Sequence, residues 1–214
     1  MHRCHYRNRA EAGRVLSETL TAGSTPLGDP SQIVVLGLAR GGVPVAAEVA
    51  RRLGAVLDVA VVRKLGVPGH EELALGAITR ERIVLNDKLI RSLGVAQKDI
   101  DEVVARERRE LIHRESAYRG GREPHPLVDR TVILVDDGIA TGASMRAVAL
   151  DARAQGARRV GVAVPTAPDS VSADFAEVAD EFVCPHTPRP FTAVGMSYAD
   201  FGQTSDDEVR ALLT

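Results

Sequence analysis

The sequence predicts an α/β fold, a mostly parallel twisted sheet flanked by helices. Three observations lead there. Runs of consecutive branched aliphatic residues, such as Ile33-Val34-Val35-Leu36 and Val132-Ile133-Leu134-Val135, fit strands buried on both faces. These runs alternate with helical stretches, the pattern of parallel strands joined by helical crossovers. Three of the runs end in polar or glycine-bearing turns, so chemistry-bearing residues collect at the carboxyl ends of strands, where open α/β sheets bind ligands.

The bulk properties agree with one domain. At 214 residues, 44% hydrophobic and 26% charged, the chain can bury a single good core and stands near the upper size for one. Its net charge of −2 and pI near 6.3 give no global basic field, so nucleic acid and anionic membranes are not expected partners. Cys4 and Cys184 have neither ligand-like spacing nor a disulfide framework, which fits a reducing compartment, and neither thiol is expected to be catalytic. No apolar stretch approaches the roughly 20 residues of a membrane span, and Met1-His2-Arg3-Cys4-His5-Tyr6-Arg7 lacks the apolar segment of a signal peptide. A soluble cytoplasmic protein is the expectation.

Taken in order, Asn8 can cap a helix carrying Ala12, Val15, Leu16 and Leu20 on one side, with Glu11 three residues after the cap. That helix reads as one docked on the surface, and residues 21–31, rich in Gly, Pro, Ser and Thr, read as a loop. The strand at 33–38 leads through Ala39-Arg40-Gly41-Gly42-Val43-Pro44 into an amphipathic helix at 45–53. Glycines there let backbone approach a ligand closely and Arg40 brings a fixed positive charge, although a plain tight turn would use the same glycines. The strand at 58–62 ends in Arg63-Lys64. Residues 65–72 have loop chemistry; His70, Glu71 and Glu72 lie in that loop, where a lone His faces solvent more often than it catalyses. Residues 73–79 and 82–85 predict a hairpin or two short edge strands. A short helix at 87–93 stops at Gly94, and a long one from 97 to about 118 carries Ile100, Val103, Val104 and Leu111 on one side. Glu102 with Arg106 and Glu110 with Arg114 are i,i+4 pairs on a solvated face.

Next comes Val132-Ile133-Leu134-Val135-Asp136-Asp137-Gly138-Ile139-Ala140-Thr141-Gly142-Ala143-Ser144. A buried strand ends in two acids and then in a small, hydroxyl-bearing loop that opens a helix, where unpaired amides and the dipole favour a phosphate. Acids suited to hydroxyls beside amides suited to phosphoryl oxygens suggest a sugar phosphate. A strand at 159–164, a helix at 171–179 capped by Asp169 or Ser170, and a strand at 181–184 follow. The tail from Pro185 is irregular. Phe191, Met196, Tyr198 and Phe201 crowd into it as a docking contact or a stacking surface, and Ser205 with Glu208 makes a capping box for a terminal helix.

Residues 132–144 resemble the binding signature of the type I phosphoribosyltransferases, which take 5-phosphoribosyl 1-pyrophosphate as donor: aliphatic run, two acids, two variable residues, then a small-Thr-Gly-x-Ser/Thr loop. Ala39-Arg40-Gly41-Gly42 is similar to the Arg-Gly-Gly pyrophosphate turn of bacterial xanthine-guanine enzymes. Residues 62–69, Val-Arg-Lys-Leu-Gly-Val-Pro-Gly, resemble a bacterial group of phosphoribosyltransferase-like chains. The resemblance implies one domain over 1–214, with a core at about 31–184 and a hood from about 1–30 and 185–214. It implies that Asp136 and Asp137 bind the ribose hydroxyls, that Ala140, Thr141, Gly142, Ala143 and Ser144 hold the 5′-phosphate, and that Arg40, Gly41 and Gly42 hold pyrophosphate with Arg63 and Lys64 nearby. Asp136, Asp137, Arg40 and Lys64 would be the residues that serve the chemistry. Mg²⁺ would enter with the substrate, with Asp136 and Asp137 as its only candidate protein contacts. A mobile segment around 65–77 could close over the site.

Two departures shape this reading. Gly138 replaces the branched residue usual after the acids, and Ala140 stands where 6-oxopurine enzymes place an acid, which argues against a 6-oxopurine acceptor. The partners implied are the donor and a small nitrogenous acceptor, with no membrane and with a homodimer left open. A donor-binding regulator with the same fold would keep the same residues. A plain α/β domain, in which the acids and glycines only make turns, is the third reading. A Walker-type hydrolase is disfavoured, because Thr141-Gly142-Ala143-Ser144 lacks the Gly-Lys pair.

Overall fold

A computed structural model describes residues 5–23, 28–67 and 70–214; of Glu71 and Glu72 it describes the backbone only. Cys4, the Pro68-Gly69 pair and part of the 21–31 segment therefore lie outside the described residues. The elements in chain order are α1 (Arg9–Ala22), β1 (Ile33–Leu38), α2 (Gly42–Leu53), β2 (Val56–Ala60), β3 (Arg63–Val67), β4 (His70–Ile78), β5 (Ile83–Leu85), α3 (Asp87–Leu93) and α4 (Gln97–Arg119). Then follow β6 (Thr131–Val135), α5 (Ala143–Ala154), β7 (Arg159–Ala163), β8 (Glu181–Val183) and α6 (Asp206–Leu213).

The central sheet runs β2-β1-β6-β7-β8, and every neighbouring pair is parallel. The expected α/β fold with a mostly parallel sheet is what forms. The chain leaves β1 toward β2 on one side and returns through β6 toward β7 and β8 on the other. The reversal of strand order therefore falls between β1 and β6, and a crevice opens at such a point beyond the carboxyl ends.

Alternation along the strands sends side chains to two helical layers. Val34, Leu36, Val132, Leu134, Val160 and Val162 pack with Met145, Val148, Ala149 and Ala152 of α5. Ile33, Val35, Ile133 and Val135 pack with Val45, Ala46 and Val49 of α2 and Leu16 and Leu20 of α1. Asn8 caps α1 by accepting from the Glu11 amide. The helix expected on the surface thus covers one face of the sheet.

The loop expected from residue 65 is instead strand within a small antiparallel sheet, β3-β4-β5, whose β4-β5 pairing is the hairpin expected at 73–79 and 82–85. Leu65, Val67, Leu75 and Ile78 turn toward Ile100, Val103, Leu111 and Tyr118 of α4. Gly66 and Pro68-Gly69 hide that alternation in the sequence, and the ladder is irregular at Leu65/Gly66 and Gly66/Val67, so the pattern is broken where it would be read. The helix expected at 171–179 is a 3₁₀ segment, Asp169–Phe175, with no side-chain cap. Ser170, Ser172 and Asp174 compete for backbone groups and disfavour a regular α-helix. The terminal capping box forms as expected.

The long helix α4 corrects the expectation of a solvated charged face. Glu110 pairs with Arg114 at 2.6 Å, but Glu102 meets Lys98 and Arg106 turns to Glu107. Glu107, Glu115 and Arg119 are buried, because the small sheet covers them and supplies counter-ions from Arg63 and Arg80. Arg119 bridges Asp58 at 2.7 Å and donates to the Val59 carbonyl at 2.7 Å, tying α4 to β2. Removing one member leaves a buried charge without its partner. Arg119→Met is expected to destabilise the fold by about 3–5 kcal/mol in urea titrations, whereas Asp58→Asn with Arg119→Met should cost less than the sum of the single changes.

Candidate active site

The carboxyl ends of β1 and β6 meet in register, Gly37 beside Val135. From β1 the chain enters Ala39-Arg40-Gly41 and then α2; from β6 it enters Asp136-Asp137. The two turns touch. A Cβ on Gly42 would lie 2.6 Å from the Val135 carbonyl oxygen and 2.8 Å from Cα of Asp136, and one on Gly41 would lie 2.1 Å from Oδ2 of Asp137. Nothing larger than glycine fits there, so the close approach expected of this turn is made first to the acid pair.

Both carboxylates are largely withdrawn from water. Burial, and then the adjacent charge of Asp137, push Asp136 well above the ordinary carboxylate range. The Asp137 amide donates to Oδ1 of Asp136 at 2.8 Å, which opposes that shift. Burial also raises Asp137, against the pull of Arg9. Arg9, from the first turn of α1, reaches Oδ2 of Asp137 with both Nε and Nη2 at 2.8 Å.

After the acids, Gly138 and Ile139 lead to an exposed Ala140-Thr141 and to Gly142, the residue before α5, at φ +75°. No side chain caps α5. Its first-turn amides are those that a helix leaves for an external anion, and the helix has 12 residues of dipole behind them. Thr141 and Ala143 are exposed and Ser144 is half-buried, so the loop is open to a ligand. The glycine turn thus touches the acid pair, and the uncapped start of α5 follows that pair along the chain.

The cations divide. Arg40 lies at the turn, with Nη1 3.6 Å from Oδ1 of Asp206, which also accepts the Tyr118 hydroxyl at 2.8 Å. Lys64 is exposed on β3. Arg63 is engaged by Glu107 on α4, with nitrogens at 2.7 and 2.9 Å from Oε2. His70 opens β4 and is exposed, while the Glu71 and Glu72 side chains lie outside the described residues. Cys184 is half-buried and its thiol is pushed up to about 11 by burial, which suits an inert thiol.

Sequence reasoning missed how the terminal segments pair with each other and with the acids. The Ala199 amide donates to the Tyr6 carbonyl at 2.8 Å and the Tyr6 amide to the Ser197 carbonyl at 2.9 Å, so residues 5–7 and 197–200 are zipped together. The Tyr198 hydroxyl donates to the Asp137 carbonyl at 2.5 Å. Of the tail side chains, Tyr198 is a docking contact, buried and stacked on Phe201 with centroids 4.9 Å apart, whereas Phe201 and Met196 are exposed. Gly138 is explained in the same way. A Cβ there would lie 2.5 Å from Cγ1 of Val194 and 2.8 Å from Cγ2 of Thr166, so the tail fills the space that the usual branched residue would take.

Residues 18–174 match the phosphoribosyl transferase domain family. The chain belongs to that family. Two Mycobacterium tuberculosis proteins, each named "Putative phosphoribosyl transferase", from strains CDC 1551 and H37Rv, are 50% identical to this phosphoribosyl transferase domain over 207 residues. The match covers 96% of the chain, which spans about half the length of those relatives (46%). A crystal structure of TT1426 from Thermus thermophilus is 44% identical, with a TM-score of 0.80 over 98% of this chain and 97% of that one. The family match includes the glycine turn, both acids and the phosphate-type loop, and it leaves out Arg9, Val194, Tyr198 and Phe201.

No helix among the described residues is long and apolar enough to cross a membrane. The packing at Gly138 generates a direct test. Gly138→Ala is expected to lose about 1–3 kcal/mol through overpacking, measured by urea denaturation, and Val194→Ala in the same chain should recover part of that loss.

Proposed function

We propose that the protein transfers ribose 5-phosphate from 5-phosphoribosyl 1-pyrophosphate to a small nitrogenous acceptor, with release of pyrophosphate. The observation that carries this reading is the contact of Gly41 and Gly42 with the acid pair at the reversal of strand order, next to the uncapped start of α5. Anion, hydroxyl and anion subsites then follow in the order in which the donor presents pyrophosphate, ribose and 5′-phosphate.

Asp136 and Asp137 accept the 2′- and 3′-hydroxyls, hydrogen bonds that a buried carboxylate makes strongly. The amides from Ala140 to Ser144, with the Thr141 and Ser144 hydroxyls, hold the 5′-phosphate. Arg40 and the Gly41-Gly42 backbone meet pyrophosphate, and Lys64 approaches from β3. Arg63, held by Glu107, fixes β3 against α4. The acceptor nitrogen forms its bond to C1′ as the bond from C1′ to the pyrophosphate oxygen breaks. The protein's part is to align the two and to stabilise charge on the leaving group, with no covalent intermediate on a side chain. Ala140, exposed and uncharged, gives a 6-oxopurine no carboxylate, which favours another acceptor.

Magnesium fits this donor set through the substrate. No group of three or more His, Cys, Asp or Glu side chains that could hold a metal exists among the described residues. Two carboxylates beside a pyrophosphate are what Mg²⁺ commonly uses, and Asp136 and Asp137 would hold it together with donor oxygens. Bound there, the ion supplies neutralising charge to the leaving pyrophosphate. The core at about 31–184 carries the donor site in this reading, and residues 5–7 with the tail from Pro185 form the hood toward the acceptor. A cytoplasmic location suits the donor.

Pyrophosphate release measured with Mg²⁺, donor and a panel of nitrogenous bases tests the function. Turnover with at least one base is expected, while donor binding without turnover across the panel would favour a regulator. In Asp136→Asn with Asp137→Asn, donor affinity should fall on the order of 100-fold or more, from the loss of two charge-assisted hydrogen bonds. Unchanged affinity in the folded variant would remove both acids from the site.

A further inference from the structure

We propose that Arg9 is the positioning residue of the acid pair, fixing one oxygen of Asp137 so that the other meets the ribose. This inference rests on the donor reading given above. The geometry is a closed circuit. Arg9 Nε and Nη2 both meet Oδ2 of Asp137 at 2.8 Å, so the guanidinium takes one carboxylate oxygen twice rather than bridging the two. Oδ1 accepts no hydrogen bond from another residue's side chain among those described, which leaves it for a ligand. The third nitrogen, Nη1, donates to the Gly202 carbonyl at 2.6 Å, and the guanidinium carbon lies 4.1 Å from the Phe201 ring centroid. Phe201 stacks on Tyr198, whose hydroxyl returns to the Asp137 carbonyl. Asp137 is thus gripped at its carboxylate by α1 and at its backbone by the tail, and the two grips are joined through Phe201.

Two further observations separate Arg9 from an incidental surface cation. Its side chain and that of Asp137 are each only 14% exposed, so the pair is shielded from solvent. Arg9 is also the first residue of α1, directly after the Asn8 cap, where the helix dipole disfavours a cation. A charge placed against its local helix preference is held there by something outside the helix. Gly41 completes the arrangement: its missing Cβ would stand 3.3 Å from Arg9 Nε as well as 2.1 Å from Asp137 Oδ2, so the anion turn closes over the same ion pair.

A residue that acts through Asp137 should matter for ligands with ribose hydroxyls and not for pyrophosphate without a metal ion. Calorimetric titration of the full chain with the donor and with ribose 5-phosphate, each with Mg²⁺, and with inorganic pyrophosphate in the absence of Mg²⁺ separates these. For Arg9→Gln, donor and ribose 5-phosphate affinities are expected to fall at least tenfold while pyrophosphate stays within twofold, and Arg9→Lys should recover most of the loss. With Asp137→Asn already present, Arg9→Gln should change ribose 5-phosphate affinity little, and that double variant also relieves the unpaired buried carboxylate if the single one folds poorly. Equal weakening of all three ligands, or donor affinity unchanged in folded Arg9→Gln, would overturn the role of Arg9 and leave the donor reading standing. Failure of the folded wild-type chain to bind the donor at all would overturn both.

Discussion

Two adjacent carboxylates at the end of one buried strand are costly to hold. Asp136 and Asp137 repel each other, and burial favours the neutral form of each. The structure answers with a single guanidinium, Arg9, one backbone amide, and glycine turns that let the neighbouring backbone close in without displacing either acid. Much of what surrounds the crevice follows. The helix α1 packs on one face of the sheet with its first residue at the acid that follows β6, and the tail folds back so that Gly202, Phe201 and Tyr198 support the cation and the acid together.

The small residues around the crevice have different physical reasons. Gly41 and Gly42 are small because the acids occupy the space beside them, Gly138 because Val194 and Thr166 do, and Gly142 because the chain turns through positive φ into α5 against Phe175. A single glycine-rich motif would hide these separate causes. The parallel sheet supplies the common frame, since β1 and β6 deliver both turns to the same edge in matched register.

How much of this was legible depends on the range of the interaction involved. The strands at Ile33–Leu38 and Thr131–Val135, the stop at Gly94 and the box at Ser205 are written in local pattern, and they formed where the pattern put them. The β3-β4 hairpin was obscured because Gly66 and the irregular ladder break its alternation. The buried charges of α4 look solvated in sequence, since Arg63 and Arg80 come from a distant segment. At the candidate site, the acids, the glycine turn and the phosphate-type loop were readable as motifs. Arg9 was not, because its partner lies 128 residues away. Its only local trace is a cation at a helix start, a weak sign until the partner is seen.

The central claim is that one donor molecule spans the three subsites of this crevice. The most direct measurement is a crystal structure of the chain soaked with 5-phosphoribosyl 1-pyrophosphate and Mg²⁺. The account predicts the 5′-phosphate on the amides between Ala140 and Ser144, the ribose hydroxyls on Asp136 and Asp137, and pyrophosphate against Arg40-Gly41-Gly42. A donor bound with its ribose away from both acids, or an empty crevice at saturating donor, would contradict it.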